Sequence, residues 1–146
     1  MKIIKVDTKL NKTIHEYPEE NSNEELNKLL GSELFERVLP TRLYSEFCMC
    51  PSLDDTKHEG ESVVMLVDED GLLKNLKGNL LGSWLYATDV HKHHIVGDIL
   101  FVGQRCGENG PDFCGIDEDC FKELDDEITK FIDIVHLIYG TKESEE

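Results

Sequence analysis

The clearest periodic pattern in the chain lies near its C-terminal end, where apolar residues recur every three or four positions. The stripe comprises Phe121, Leu124, Ile128, Phe131, Ile132, Val135 and Ile138. This spacing is typical of an amphipathic helix with one wide apolar face. Asp117 is placed to cap its start and Gly140 to close it. We therefore expect a helix of roughly 22 residues, about 33 Å long at ~1.5 Å per residue.

Two mainly apolar segments predict buried strands. Residues 62–67 and 95–102 are short and rich in β-branched side chains, as in central strands of a sheet. Asp70-Gly71 follows the first run and is a strong signal for a tight turn. Residues 72–76 could return from that turn as a further strand.

The N-terminal region predicts a hairpin followed by a helix. Residues 1–6 alternate loosely between apolar and charged, and a turn near position 11 leads into a second short strand over 13–17. Ser22 and Glu25 form a capping-box pattern at the start of a short helix. Gly31 occupies the position where a helix commonly ends.

The remaining segments carry weaker signals. Two β-like runs, 33–39 and 41–49, are separated by Pro40, and residues 78–87 indicate a packed loop or a short helix. Residues 103–115 are rich in glycine and predict a loop. Together these patterns predict one α+β domain over residues 1–146, with a small mixed or antiparallel sheet packed against the long C-terminal helix.

The chain has a large excess of acidic residues, and this excess bears on its function. The chain has 31 acidic and 15 basic residues and a formal net charge of −16, yet residues 71–107 hold four basic and only two acidic residues. Such self-repulsion reduces the stability of a compact state, so we expect the acidity to serve binding or solubility. It disfavours nucleic acid and anionic membranes as direct partners.

Targeting signals are not apparent in the sequence. Apolar runs fall short of the ~20 residues of a membrane helix, and the first residues lack a secretory apolar region. An odd number of cysteines, five, favours free thiols over a disulfide framework. We therefore expect a cytoplasmic protein with no membrane partner.

The acidic residues of the predicted C-terminal helix are the first candidate site. They comprise Asp117, Glu118, Asp119, Glu123, Asp125, Asp126, Glu127 and Asp133. Most fall opposite the apolar stripe, and carboxylates four residues apart on a helix are roughly 6 Å apart. That separation is comparable to the separation of phosphates along a nucleic-acid strand, so the row could occupy a basic groove.

A second acidic group and a simpler interpretation accompany this row. Asp54, Asp55, Glu59 and Glu61 lie in a polar loop without periodicity. The alternative interpretation is a solvated helix face, in which acids near the N-terminus favour the helix dipole. The dipole accounts only for the first turn, and like charges at this spacing destabilise an isolated helix.

The candidate metal ligands are Cys48, Cys50, His91, His93 and His94. Alternate residues on a strand share a face, but zinc sites normally use wider spacings than one intervening residue. These side chains could equally be bystanders. The sequence contains no phosphate-binding loop, and no cysteine–histidine pair is singled out by spacing. We therefore assign no catalytic residue and no cofactor, and we expect a protein that is not an enzyme.

A small-ligand site is the alternative within the less acidic segment. Its candidate residues are Asp68, Glu69, Lys74, Lys77 and Asn79. Basic side chains in an otherwise acidic chain could hold a phosphorylated compound, as in a protein that sequesters signalling nucleotides.

Three blocks of the sequence carry a family resemblance. They are MKIIKVD at the start, VVMLVDEDGLLKNLKGN from Val63, and IVGDILFVG from Ile95. In these blocks the chain resembles a family of small proteins of unknown function carried by phages, plasmids and gut bacteria, mostly Firmicutes. That resemblance implies an α+β fold and a mobile-element context, without an established activity. Here Leu76-Lys77-Gly78-Asn79 stands where the family has Leu-Pro-Pro-Asn.

These observations predict an acidic inhibitory protein of phage or mobile-element origin. We expect its partner to be a host nucleic-acid-binding protein with a basic groove, such as a CRISPR effector or a restriction enzyme. The alternatives are a small-ligand or nucleotide-binding protein, a metal-binding protein, and an interaction module with no blocking role.

Overall fold

The computed structural model describes residues 1–46, 58–88, 93–108 and 110–139. The strands are β1 (Lys2–Val6), β2 (Lys12–Glu16), β3 (Phe35–Val38), β4 (Ser62–Asp68), β5 (Ile99–Gly107) and β6 (Gly110–Cys114). The helices are α1 (Ser22–Leu30), α2 (Thr41–Glu46), α3 (Leu80–Leu85) and α4 (Glu118–Tyr139). Within these ranges the predicted α+β class is confirmed, with an antiparallel sheet and a 22-residue helix near the C-terminal end.

The longest strand, β5, organises the sheet. Its first half pairs with β1, its second half pairs with β6, and β4 lies along its other side. The strand order is β2-β1-β5-β4-β3, with β6 beside β5 and every pairing antiparallel. The start of β5 is apolar because both its faces are buried, with Ile99 and Phe101 in the core on one side of the sheet and Leu100 and Val102 in the core on the other.

Both faces of the sheet are covered by helices. Val63 and Met65 of β4 pack with the buried residues of α2, α3 and α4 on one face. Val64 and Leu66 pack on the other face against Leu26 of α1. Because successive side chains of a strand point to opposite faces, a strand covered on both sides is apolar at every position. The pattern over residues 62–67 has this origin.

The cap predicted for the long helix is present. The Asp117 carboxylate accepts hydrogen bonds from the backbone N–H groups of Asp119 and Cys120, at 3.2 and 3.3 Å. These bonds satisfy two of the N–H groups that have no partner inside the helix. At the start of α1 the capping-box prediction is wrong. Asn21 is the cap residue and makes no side-chain cap bond, while Ser22 Oγ donates to the Pro18 carbonyl at 2.6 Å.

Three predictions of local structure are corrected. Residues 41–46 form α2 instead of a strand, because the chain turns into a helix directly after Pro40, whose carbonyl accepts from Leu43 N at 2.9 Å. Residues 72–76 do not form the predicted further strand. They form turns closed by backbone hydrogen bonds between residues three to five positions apart. Residues 103–107 and 110–114 pair as strands of β5 and β6 instead of forming a loop.

Three glycines meet where β5 passes the start of α4. A side chain on Gly103 would place its Cβ 2.4 Å from the carbonyl oxygen of Gly115 and 2.7 Å from the Cα of Gly60. Gly60 N donates to the Gln104 carbonyl at 3.1 Å, and its own carbonyl accepts from Asp117 N at 3.0 Å. The segment around Gly60 is therefore held directly against the first turn of α4. We call this contact of Gly60, Gly103 and Gly115 the glycine junction.

Candidate functional site

An acidic row lies along the side of α4 that faces away from the sheet. Asp119, Asp126 and Asp133 are exposed and follow one another at seven-residue intervals, while Leu124 and Ile128 are buried on the opposite side. Seven residues are nearly two helical turns, so the three carboxylates point in one direction at steps of about 10.5 Å. The half-buried Glu123 lies beside the gap between the first two. We call Asp119, Glu123, Asp126 and Asp133 the acidic row.

Three other carboxylates predicted for this site hold the fold together. Asp117 caps the helix. Asp125 forms an ion pair with Lys12 of β2, and Glu127 pairs with Lys130 at 3.2 Å. Glu118 is exposed and lies 4.0 Å from Lys122. Among the described residues, the acidic row makes no ion pair, which leaves its charge available to a partner.

The structure brings part of the second acidic group to the first. Glu59 and Glu61 flank Gly60, which lies against the start of α4 at the glycine junction. Glu59 is 3.9 Å from Arg105 of β5, and the Glu61 carboxylate accepts a hydrogen bond from the backbone N–H of His58. Asp54 and Asp55 are outside the described residues. Glu59 and Glu61 therefore lie close to the first turn of α4.

The pKa values of two buried thiols, Cys120 and Cys114, are raised by burial and by nearby carboxylates. Burial raises the pKa of Cys120 to about 12, and the charges of Asp117, Glu61 and Glu123 add to the rise. Burial also raises the pKa of Cys114 to about 11, with Glu59 as the next contribution. Carboxylates from two separate segments thus act on the same region.

Two residues of the small-ligand alternative, Asp68 and Lys74, are paired with each other. Lys74 donates to the buried Asp68 carboxylate at 2.7 Å. Burial acts to raise the pKa of Asp68, but the Lys74 hydrogen bond and charge, with a backbone bond from Asp70, lower it below its ordinary value. Glu69 and Lys77 are exposed.

Asn79 is a structural residue. Its side-chain amide donates to the carbonyls of Val6 and Gly97, at 3.2 and 3.0 Å, and its oxygen accepts from Gly82 N at 3.0 Å. It therefore closes the start of α3 and joins it to β1 and to the segment before β5. Every polar atom of the side chain is used in this way, so Asn79 forms a wall of the nearby cavity and does not serve as a free ligand contact.

That cavity was missed by reasoning from sequence. It has a volume of about 630 Å³ and is lined in part by Leu80, Ser83, Trp84 and His94. Beside it, the ring of Trp84 packs on Phe131 of α4 at 5.4 Å between centroids.

The apolar end of α4, next to this contact, was also missed. Ile134, Leu137, Ile138 and Tyr139 are exposed there, although periodicity had placed Ile138 on the buried stripe. The sequence signal that could have found this surface is the run IVHLIY, which is apolar on nearly every side of a helix.

The metal prediction falls largely on residues that are not described. Cys48, Cys50 and His91 lie outside the described ranges, while His93 and His94 are exposed. Within the part of the chain that the structure describes, no three His, Cys, Asp or Glu side chains are grouped so that they could hold a metal ion.

Two further observations complete the description. In residues 1–46, 58–88, 93–108 and 110–139, none of the helices combines the length and the apolarity required to cross a bilayer. Comparison of the chain with protein-family models, with curated proteins and with solved structures gives no match.

Proposed function

We propose that this chain is an acidic inhibitory binding protein, of phage or mobile-element origin, that blocks a nucleic-acid-handling host defence protein in the bacterial cytoplasm. A CRISPR effector or a restriction enzyme is the expected class of partner. The chain acts by placing carboxylates where the partner's basic groove would hold phosphates, without itself contacting nucleic acid.

The observation that carries this proposal is the acidic row on α4. Asp119, Asp126 and Asp133 share one outward direction, and none has an ion-pair partner among the described residues. Nearby carboxylates that stabilise the fold, such as Asp125, are paired with lysine. The helix therefore separates carboxylates that hold its packing from carboxylates that face solvent.

The simpler interpretation, a solvated helix face, accounts for less of this arrangement. The helix dipole favours acids in the first turn, which covers Glu118 and Asp119. Asp126 and Asp133 lie beyond that turn, where the dipole gives no benefit. Glu59 and Glu61 add charge to the same end of α4, which increases the repulsion that the fold must offset. A cationic partner would relieve that repulsion on binding.

Electrostatics of this kind predicts how binding depends on salt. A partner with a basic groove is attracted over long distances at low ionic strength, and the attraction is screened as the Debye length falls from ~10 Å at about 0.1 M to ~3 Å at about 1 M salt. Complementary charge chiefly increases the association rate. Nucleic acid that occupies the same groove should compete with the chain.

The test is capture of the partner from host lysate, followed by measurement of Kd for the purified pair at about 0.05 and about 0.5 M salt. We expect the affinity to fall by at least tenfold between these conditions. The triple variant D119N/D126N/D133N should weaken binding at low salt by about 10- to 100-fold, since rim charges contribute roughly 0.5–1 kcal/mol each.

The matched control is E19Q/E20Q/E24Q. It makes the same change in net charge at exposed positions near the start of α1, which packs on the opposite face of the sheet. It should bind almost as well as the unaltered chain. An affinity that does not respond to salt, or an equal loss in both triple variants, would exclude groove occupation by the acidic row.

A further inference from the structure

The last turns of α4 present apolar side chains in several directions. Ile134, Leu137, Ile138 and Tyr139 are 55%, 85%, 66% and 73% exposed, respectively. Ile134, Leu137 and Ile138 follow the i, i+3, i+4 spacing and share one side of the helix, while Tyr139 is rotated by about 100° from Ile138. A helix segment that is apolar on all sides is normally buried. We call residues 134–139 the apolar end.

The apolar end continues onto α3. Phe131, one turn earlier in α4, packs against Trp84, and Trp84 and Leu80 are themselves partly exposed. Taking roughly 190 Å² for each large side chain, the exposed areas of Ile134, Leu137, Ile138, Tyr139, Trp84 and Leu80 sum to about 700 Å². That sum approaches the about 800 Å² that each partner of a standard interface buries.

The neighbouring cavity offers a mainly apolar surface. Of its polar lining residues other than the exposed His94, Ser83 Oγ accepts from Ile95 N at 3.0 Å, and Thr88 donates to the His93 carbonyl at 2.6 Å. Asn79 is likewise bonded to backbone groups. Polar groups already satisfied within the chain make weak contacts with a polar ligand. The cavity of about 630 Å³ therefore fits apolar side chains better than a charged small molecule.

We propose that this surface binds a second copy of the chain in a two-fold arrangement. A projecting apolar end and an apolar cavity lie next to each other, joined by the Trp84–Phe131 contact. A two-fold axis between them places the apolar end of each copy against the cavity of the other, so the same residues are used twice. In that arrangement the apolar end and the cavity of each copy are both covered by the other copy, and no different protein is needed.

The distribution of charge along α4 permits this approach. Residues 118–133 carry all the carboxylates of the helix, and residues 134–139 carry none. Two copies that meet at their apolar ends bring uncharged side chains together, with Asp133 at the border of the contact and the other carboxylates of the acidic row further from it. Their net charges still repel, and salt screens that repulsion. Added salt should therefore strengthen dimerisation, whereas it weakens binding of a basic partner.

Sedimentation equilibrium over a concentration series tests the proposal, at about 0.05 and about 0.5 M salt. We expect a dimer whose dissociation constant falls as salt is added. I134D/L137D places charge at two exposed positions, so the fold is retained and dimerisation should weaken at least 30-fold. Trp84 is the single tryptophan of the chain, so its fluorescence should shift to the blue with concentration only in the dimerising protein.

The matched control is L72D/L73D, at leucines that are 75% and 88% exposed in the turns after β4. It should dimerise like the unaltered chain. A chain that remains monomeric at high salt, or a dimer that persists in I134D/L137D, would overturn the proposal. The first result would assign the apolar end to a different protein. The variant D119N/D126N/D133N should dimerise at least as well as the unaltered chain. The dimer proposal and the proposal for the acidic row can therefore be contradicted separately.

Discussion

Lys12 on the edge strand β2 donates hydrogen bonds to Asp125 and to Thr129 of α4, and so fastens the strand to the helix. Both members of the ion pair are partly buried. The interaction joins residues more than a hundred positions apart, which gives one member of the predicted acidic face a structural role.

We expect D125N to lower the free energy of unfolding by about 1 kcal/mol, because it leaves the Lys12 ammonium partly buried without its counter-charge. Urea denaturation measures the change. E118Q is the control. Glu118 is exposed and its ion pair with Lys122, at 4.0 Å, is long and weak, so the substitution should change the free energy of unfolding by less than about 0.5 kcal/mol. Equal effects of the two substitutions would contradict a structural role for Asp125.

Asn79 should be essential to folding. N79A removes a buried donor and acceptor and leaves the carbonyls of Val6 and Gly97 and the N–H of Gly82 unsatisfied. We expect a loss of about 3 kcal/mol in thermal or urea unfolding. K77A, at a nearby exposed position, should be close to neutral. A stable N79A protein would mean that these backbone groups find other partners.

The glycine junction should not accept a side chain. G103A places a Cβ 2.4 Å from the Gly115 carbonyl oxygen, a backbone atom that cannot move without shifting the start of α4. We expect a loss of about 3 kcal/mol, as in overpacked cores. At Gly78 an added Cβ meets nothing within 4 Å, and G78A should be tolerated. The difference between the two melting temperatures checks the prediction.

The Asp68–Lys74 pair predicts a pH dependence. Despite burial, which acts to raise it, the pKa of Asp68 is lowered in the folded state, mainly by the Lys74 hydrogen bond. The folded protein therefore binds this proton less readily than the unfolded chain does. The pair's contribution is complete above the ordinary Asp pKa of ~3.9 and is lost as pH falls through the folded value.

K74M tests this dependence by leaving Asp68 buried without its partner. We expect K74M to cost about 2 kcal/mol at neutral pH. The deficit should shrink below about pH 4, as the Asp68 carboxylate of the variant takes up a proton. Urea titrations of both proteins from neutral to acidic pH measure the difference. A deficit that is constant with pH would assign the effect of K74M to lost packing.

Periodic patterns found the central elements because burial forces those patterns. The run over 63–67 is apolar at every position since β4 is covered on both faces, and the stripe of α4 is apolar on one side since that side meets the sheet. Asp117 was identified as a cap because short acceptor side chains are favoured there, and its bonds to Asp119 and Cys120 confirm this role.

The predictions failed where local sequence is ambiguous. The 41–49 run has apolar residues that fit either structure, and what decides for a helix is Pro40 at its start, with Leu43 buried and Tyr44 donating to the Val63 carbonyl at 2.7 Å. The glycines over 103–115 suggested a loop, yet the close contacts at Gly103 require glycine inside a strand. Such contacts join distant segments, so no local window contains them.

The candidate site was predictable in part for the same reason. Helical spacing gives the common direction of Asp119, Asp126 and Asp133 from sequence alone. Asp125 is not available to a partner because it forms an ion pair with Lys12. The two residues are far apart in sequence, so no rule of helical spacing predicts that pair. The arrival of Glu59 and Glu61 beside α4 depends on the path of the chain through the glycine junction.

That junction has a consequence for how the chain would be recognised. Where Gly60, Gly103 and Gly115 touch, main chain rests on main chain, and backbone hydrogen bonds tie the segment to its neighbours on both sides. A partner would thus meet a charged surface whose scaffold is set before the encounter, and little ordering entropy would be lost there on association. Loosening the junction with a single methyl group should therefore slow recognition even if every carboxylate is retained.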